Sequence, residues 1–361
     1  MKKNVIFISM HLPSMHVPEA GQKLVYERLK KMSNDFNIHL ISFVNELESS
    51  FFKPHDYDFC CSAHFYKITK MQRIKNIVLN YRLPYYIAAR TDPRINSCIS
   101  KIIMEYNITG FHVEYEQGIV FIPPHYLDKS TAVLHDVMSQ SILRFQENAD
   151  NAFSRFLFKW QFAKLVHFEK FFFKRIAKII VLNKKDETLV NQLSFQQANV
   201  EIDYPGVSEK FYLIKRNESL IEKGSLMFWG AMNRKENIDA VQYFVCKIFP
   251  LILNSCPSAK FYIVGANPPE KIKKLNSENI IVTGFVEDPI FIFERIQISV
   301  VSLLQGAGIK IKVLETLAAK IPTVSTSVGG EGVIDPDNLL HIADDPDKFA
   351  RKVVDLINSN S

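Results

Sequence analysis

The chain has 361 residues, of which 47% are hydrophobic and 23% charged, with a formal net charge of +6. This composition excludes a disordered half, and the length exceeds one ordinary core, so two folded domains are expected. No apolar run approaches the roughly 20 residues of a membrane helix, and five cysteines (Cys60, Cys61, Cys98, Cys246, Cys256) without C-x-x-C spacing suggest neither a disulfide frame nor a zinc site.

The opening MKKNVIFISMH is too short in apolar residues for a signal-peptide core and reads as a first buried strand. With reduced thiols, this predicts a cytoplasmic setting. Strands are predicted over 5–10, 38–44, 111–115, 131–135 and 178–183, separated by amphipathic stretches such as GQKLVYERLKKMSN and PRINSCISKIIMEYN. Near-continuous apolar strands between helices imply parallel βαβ units and a doubly wound sheet. Residues 153–180 hold seven basic residues against one glutamate among many phenylalanines and Trp160. Two readings stay open there: a basic aromatic face on an anionic membrane surface, or core helices with solvated lysines.

After VEIDYPGVSEKFY the pattern restarts, with strands predicted over 225–230, 260–265, 279–284, 298–304 and 322–327 and a one-faced helix over 237–253. The fold expected is therefore α/β, with two Rossmann-like doubly wound domains facing a central cleft. The N-terminal domain covers 1–205 and the C-terminal domain 206–345, joined near Pro205–Gly206, and a C-terminal helix occupies 346–361.

Three strands of the second half end in glycine, at Gly230, Gly265 and Gly284, and a fourth is followed by Gly306-Ala307-Gly308. Ligands of open α/β sheets sit outside the carboxyl ends of the strands, where free N–H groups and the helix dipole favour phosphate. A helix starting near Ile309 puts Lys310 in its first turn, within reach of such an anion. Glu315 lies about two turns in, a suitable distance for ribose hydroxyls.

The run GAGIKIKVLETLAAKIPTVSTSVGGEGV resembles the signature of retaining glycosyltransferases of family 4, the group 1 enzymes of GT-B fold. GAMNRKENIDAVQYFVCKIFPLILNSCPSAKFYIVGANPP and NIIVTGFVEDP fit the same C-terminal domain, so the resemblance is continuous from Phe228 to Val333. In the first half it is thinner: MHLPSMHVPEAGQKLVYERLKKMS resembles the first βα loop and VLHDVMSQS the catalytic-histidine segment.

The resemblance implies a transferase moving a sugar from a nucleoside diphosphate to an acceptor, with retention and without a required metal or other cofactor. The leaving diphosphate would then need preorganised cations and N–H donors. Lys310, Arg234 and Lys235 are candidates, with backbone groups at Gly21, Gly306, Ala307, Gly308 and Ile309 and at the strand-end glycines Gly230 and Gly265. Ala231 stands where relatives commonly carry an arginine, so Arg234 or Lys235 substitutes. Glu315 matches the ribose-binding glutamate of the family's E-x-x-x-x-x-x-x-E motif, whose first glutamate falls at Ala307. Phe285 and Val286 match the base-contacting loop, and His135 the histidine beside the donor sugar, although His135 followed by Asp136 also reads as a structural pair. Glu114 and Glu116 are open to two readings, acceptor base or solvated carboxylates, and His16 is a loop candidate for acceptor contact.

The expected partners are a nucleotide-sugar donor and a glycan or lipid-linked acceptor, with nucleic acid disfavoured because the basic stretch is apolar-dense. The Lys, Asn and Ile content suggests an AT-rich bacterial genome, where enzymes of the family it resembles commonly build lipopolysaccharide, capsule or other surface polysaccharide, so the resemblance implies that role, at the inner face of the membrane if 153–180 docks there. The alternatives are a GT-B binding or regulatory subunit without turnover, and a sugar-nucleotide epimerase.

Overall fold

Val5–Ser9, Ile38–Phe43 and Gly110–Glu114 are buried at every position. Strands covered on both faces require helical layers on each side, which is the doubly wound arrangement. The computed structural model describes residues 2–359 except Pro18, Asn148, Asp150 and Ala307, so the expectation placed on Ala307 lies outside the described residues. Two compact units result, Met1–Pro205 and Gly206–Ser361.

The first unit begins β1 (Lys3–Ser9), α1 (Ala20–Met32), β2 (Phe36–Phe43), β3 (Ser62–Tyr66) and α2 (Lys70–Leu79). It continues with α3 (Tyr85–Ala88), α4 (Pro93–Glu105), β4 (Ile108–Glu114), β5 (Ser130–Leu134) and α5 (Met138–Glu147). It ends with α6 (Ala152–Phe173), β6 (Lys178–Val181), α7 (Lys184–Leu193) and β7 (Val200–Ile202). All seven strands are parallel, in the order β3-β2-β1-β4-β5-β6-β7.

The second unit runs α8 (Glu209–Tyr212), β8 (Glu222–Trp229), α9 (Lys235–Tyr243), α10 (Phe249–Ser255), β9 (Lys260–Val264), α11 (Glu270–Lys273) and β10 (Ile280–Gly284). Then come α12 (Ile290–Phe293), β11 (Ile296–Val301), α13 (Ile311–Ala318), β12 (Thr323–Ser325), β13 (Leu340–Ile342) and α14 (Pro346–Ser359). Its sheet is parallel too, in the order β10-β9-β8-β11-β12-β13. Helix α14 packs on α10, β11 and β12 and buries Phe349, Ala350, Val353 and Ile357.

Every strand expected from sequence is present. The additional strands β3, β7 and β13 lie at or next to sheet edges, where half-buried or three-residue segments leave no long apolar run. The helix expected over 237–253 is α9 and α10 joined by a π turn at Phe244–Ile248, two residues before Pro250. A proline lacks the N–H of a regular ladder, which accounts for the wider turn. Residues 153–180 are part core and part exposed surface. The last turns of α6 bury Leu165, Phe168 and Phe173 in the core, whereas Phe153, Phe156, Leu157 and Trp160 are exposed.

Each sheet reverses its strand order once, between β1 and β4 in the first unit and between β8 and β11 in the second. Ligand sites of such sheets form at that switch point.

Candidate active site

In the first unit, the switch point is organised by Glu114, the last residue of β4 and 0% exposed. One carboxylate oxygen accepts from Arg28 Nη1 at 2.8 Å and His112 Nε2 at 3.0 Å, and the other from His135 Nε2 at 2.9 Å. Burial alone would favour the protonated acid. The Arg28 charge and the two histidine bonds outweigh it and hold Glu114 well below the ordinary carboxylate range. An ionised Glu114 only accepts, so His135 donates from Nε2. Arg28 also donates to Asp203 at 2.6 Å, tying α1 to the segment after β7.

The next residue, Tyr115, has φ +70°. This left-handed conformation is costly for an aromatic residue and is held by its surroundings. The turn stacks its ring on His135, with centroids 4.1 Å apart, and sets it edge-on to His11 at 4.9 Å. At Gly21, near the start of α1, an added Cβ would lie 3.6 Å from the Tyr115 hydroxyl and 3.7 Å from His135 Nδ1. The sequence candidates Gly21 and His135 therefore come together, with Tyr115 and Arg28 as site residues that sequence reasoning missed. Asp136 is not the partner of His135; it accepts from the Ser141 hydroxyl at 3.2 Å.

Glu114 and Glu116 are not solvated carboxylates. Glu114 is enclosed by its donors, and Glu116 is buried with Glu169 beneath α5. Glu116 accepts the backbone N–H of Met138 at 3.2 Å and Glu169 that of Ser139 at 2.8 Å, so the pair caps α5. Burial raises both carboxyls, Glu169 to about 7 and Glu116 well above the ordinary carboxylate range. One oxygen of each lacks a donor among the described residues, and a single proton between the two carboxyls satisfies both. His16 sits on an exposed loop, 3.4 Å from Asp56.

In the second unit, β8 is followed by Gly230 (φ +155°) and β9 by Gly265 (φ +158°). A Cβ on Gly265 would collide with the Gly230 carbonyl oxygen, so glycine is required for the strand ends to approach this closely. After β11 the chain passes Gly306 (φ +120°) and Gly308 (φ +70°) into α13, which begins at Ile311 with Lys310 as its N-cap. Lys310 folds back over Gly306 and donates to the Gly308 carbonyl at 2.6 Å.

Lys312, within the first turn of α13, is the cation that enters the switch point. Its ammonium donates to Asn237 Oδ1 at 2.6 Å and lies 4.3 Å over the Phe228 ring. A Cβ on Gly230 would approach it to 3.2 Å. Burial pushes the Lys312 ammonium down to about 7, helped by the Arg234 and Lys310 charges and opposed by Glu236 and Glu315. Of the sequence candidates, Arg234 and Lys310 thus act on this centre, whereas Lys235 pairs with Asp239 along its own helix. One turn beyond, Glu315 accepts the Trp229 indole N–H at 2.6 Å, which fixes the carboxylate beside the end of β8. Phe285 stands exposed after Gly284, and Ile309 and Val286 are half-buried, Val286 packing against the Phe211–Phe293 cluster.

Residues 223–359 match the family model for glycosyl transferases group 1. An uncharacterized 44.6 kDa protein in the cps region of Klebsiella pneumoniae is 24% identical over 187 residues, 49% of this chain and 46% of that protein. The match thus spans about half the length of that relative. Among solved structures, WaaG, a glycosyltransferase involved in lipopolysaccharide biosynthesis, superposes with a TM-score of 0.63 at 13% identity, covering 98% of this chain and 90% of WaaG. Anabaena HepE in complex with UDP and glucose gives a TM-score of 0.61 at 11% identity, covering 99% of this chain and 90% of HepE. Two parallel-sheet units with a switch point apiece are the GT-B fold, and within it residues 223–359 carry the match to glycosyl transferases group 1.

Proposed function

We propose that the protein is a retaining, metal-independent transferase that moves a sugar from a nucleoside diphosphate to a glycan or lipid-linked acceptor in bacterial surface polysaccharide synthesis. The observation carrying this reading is the set of cations at the second switch point: Lys312, Lys310 and Arg234 beside the glycine turn and the N-terminus of α13. They form a preorganised site for a departing diphosphate, whose charge would otherwise need a metal. Glu315, aligned by Trp229, holds the ribose, and Phe285 and Val286 border the base. In the first unit His135, fixed by Glu114, offers its Nδ1 lone pair to a sugar hydroxyl near Gly21. The cps-region relative and the lipopolysaccharide role of WaaG support the polysaccharide assignment.

The test is a thermal-shift and hydrolysis screen of the wild type and Glu315→Ala against UDP-, GDP-, dTDP- and ADP-sugars. One donor should raise the melting point of the wild type, do so at least tenfold less effectively with the variant, and be slowly hydrolysed. If no nucleotide-sugar stabilises the wild type, the reading fails.

The same proposal includes docking on an anionic membrane. Among the described residues no helix is long and apolar enough to cross one. The first turns of α6 leave Phe153, Phe156 and Trp160 exposed, and Trp160 is tied to Tyr81, beyond the exposed apolar residues of α2, through Lys164, which lies over the Trp160 ring and donates to the Tyr81 carbonyl. Apolar side chains ringed by lysines bind interfaces by combined burial and charge. Replacing Phe153, Phe156 and Trp160 with serine should cut sedimentation with phosphatidylglycerol vesicles at least tenfold, and unchanged sedimentation removes this element.

A further inference from the structure

A second cationic centre lies in the first unit, apart from Glu114. Small and partly open, it sits at the carboxyl ends of β1, β2 and β3, lined by His11, Asn45, Glu48, Ile68, Arg73 and Arg90. Arg90 donates to the Met10 carbonyl and lies 3.2 Å from His11 Nε2. A guanidinium has only donors, so this nitrogen of His11 accepts and Nδ1–H donates to Glu48 at 3.2 Å. Burial and the Arg90 charge push His11 down to about 4, so it is neutral here. Glu48 is already engaged: it accepts from His11, from Gln22 at 2.7 Å and from the Asn45 N–H at 2.8 Å.

Arg73 reaches the same cavity from α2 and is not balanced. Its Nε is buried and has no hydrogen-bond partner among the described residues. Burial and, after it, the Arg73 charge disfavour the ionised form of Arg90, although a guanidinium stays charged at neutral pH. Two guanidinium groups therefore face one carboxylate whose oxygens are occupied, with one donor left unmade. A buried donor without an acceptor is costly, and a planar guanidinium is matched best by a two-oxygen anion. No residue of helix α2 is fully buried, and its Asn76 donates to the Thr91 carbonyl at 2.6 Å.

We infer that Arg73 and Arg90, with His11 beside them, form a binding site for a carboxylate or phosphate group carried by the acceptor, which makes the acceptor an acidic glycan or glycolipid. The site takes the anionic group alone, because the cavity is small, and the sugar bearing it extends toward Tyr115, whose ring already touches His11. The acceptor role rests on the transferase reading. The binding site does not.

The experiment titrates the full chain with glucuronate, inorganic phosphate and glucose, following melting temperature and hydrogen exchange of α2, in the wild type and in Arg73→Gln and Arg73→Lys. Expected is a saturable response to glucuronate, phosphate or both, slower exchange in α2, at least a tenfold weaker response in Arg73→Gln, partial retention in Arg73→Lys and none with glucose. Which probe acts distinguishes a uronate from a phosphorylated acceptor. Equal responses in wild type and Arg73→Gln, or none from either anion, overturn the site. Nucleotide-sugar stabilisation is measured alongside. If it persists while the anion response is independent of Arg73, only this inference fails. If the anion response depends on Arg73 and no nucleotide binds, the site stands and the transferase reading falls.

Discussion

The two units share a strand order and a switch point, yet they balance charge in opposite ways. At the first, a buried carboxylate is surrounded by Arg28, His112 and His135, and each partner is satisfied before any ligand arrives. At the second, Lys312, Lys310 and Arg234 oppose one another, with an amide oxygen rather than a carboxylate on the buried ammonium. The first centre fixes the His135 ring through its Nε2; the second, on the transferase proposal, is completed by an anion. Stability should therefore reside in the first and ligand response in the second.

The largest effect that would break this contrast belongs to Glu114→Ala. Removing one partner of a buried ionic cluster leaves uncompensated charge, at a cost of about 3–5 kcal/mol. Arg28, His112 and His135 would all lose their acceptor, and His135 its orientation. Urea denaturation should show that loss in the transition of the first unit, with nucleotide affinity of the second unaltered. A loss under about 1 kcal/mol would mean that the cluster behaves as a solvated one.

The same contrast explains what the sequence disclosed. Both sheets were legible because strands such as VIFISM and ISVVSLL are apolar on both faces, and the glycine turn with Lys310 and Glu315 is a local pattern. Glu114 was misread because VEYEQG is locally a polar strand end. Its burial comes from Arg28, which is 86 residues away and one cation among several in KLVYERLKK. Lys312 was passed over for Lys310 because helical spacing sets the two apart by direction only; the packing of Phe228 and Asn237 decides which one enters the sheet end. Arg73 lies on a helix with no buried face, so nothing in its periodicity marks it.

The smaller effect sharpens the comparison by giving opposite signs for stability and binding. In the free protein Lys312 holds its proton poorly, titrating at about 7, whereas an unfolded lysine holds its proton to about 10.4. Between those values the unfolded state binds more protons, so stability must rise with pH across the window. Lys312→Met keeps the apolar contact with Phe228 and removes the charge, so it should raise the melting point at pH 7 and flatten this dependence. The same variant should weaken the nucleotide-sugar found in the screen by about 10- to 100-fold, the scale of a charge-assisted hydrogen bond in a buried site. A bound diphosphate restores the ammonium, so binding at pH 8 should take up most of one proton and binding at pH 6 very little. Titration calorimetry in two buffers of different ionisation enthalpy reads that uptake directly. Proton uptake that persists in Lys312→Met would assign the linkage to another group. A melting point that falls in the variant would mean that Lys312 is a compensated structural cation like those around Glu114, and the contrast between the two centres would disappear.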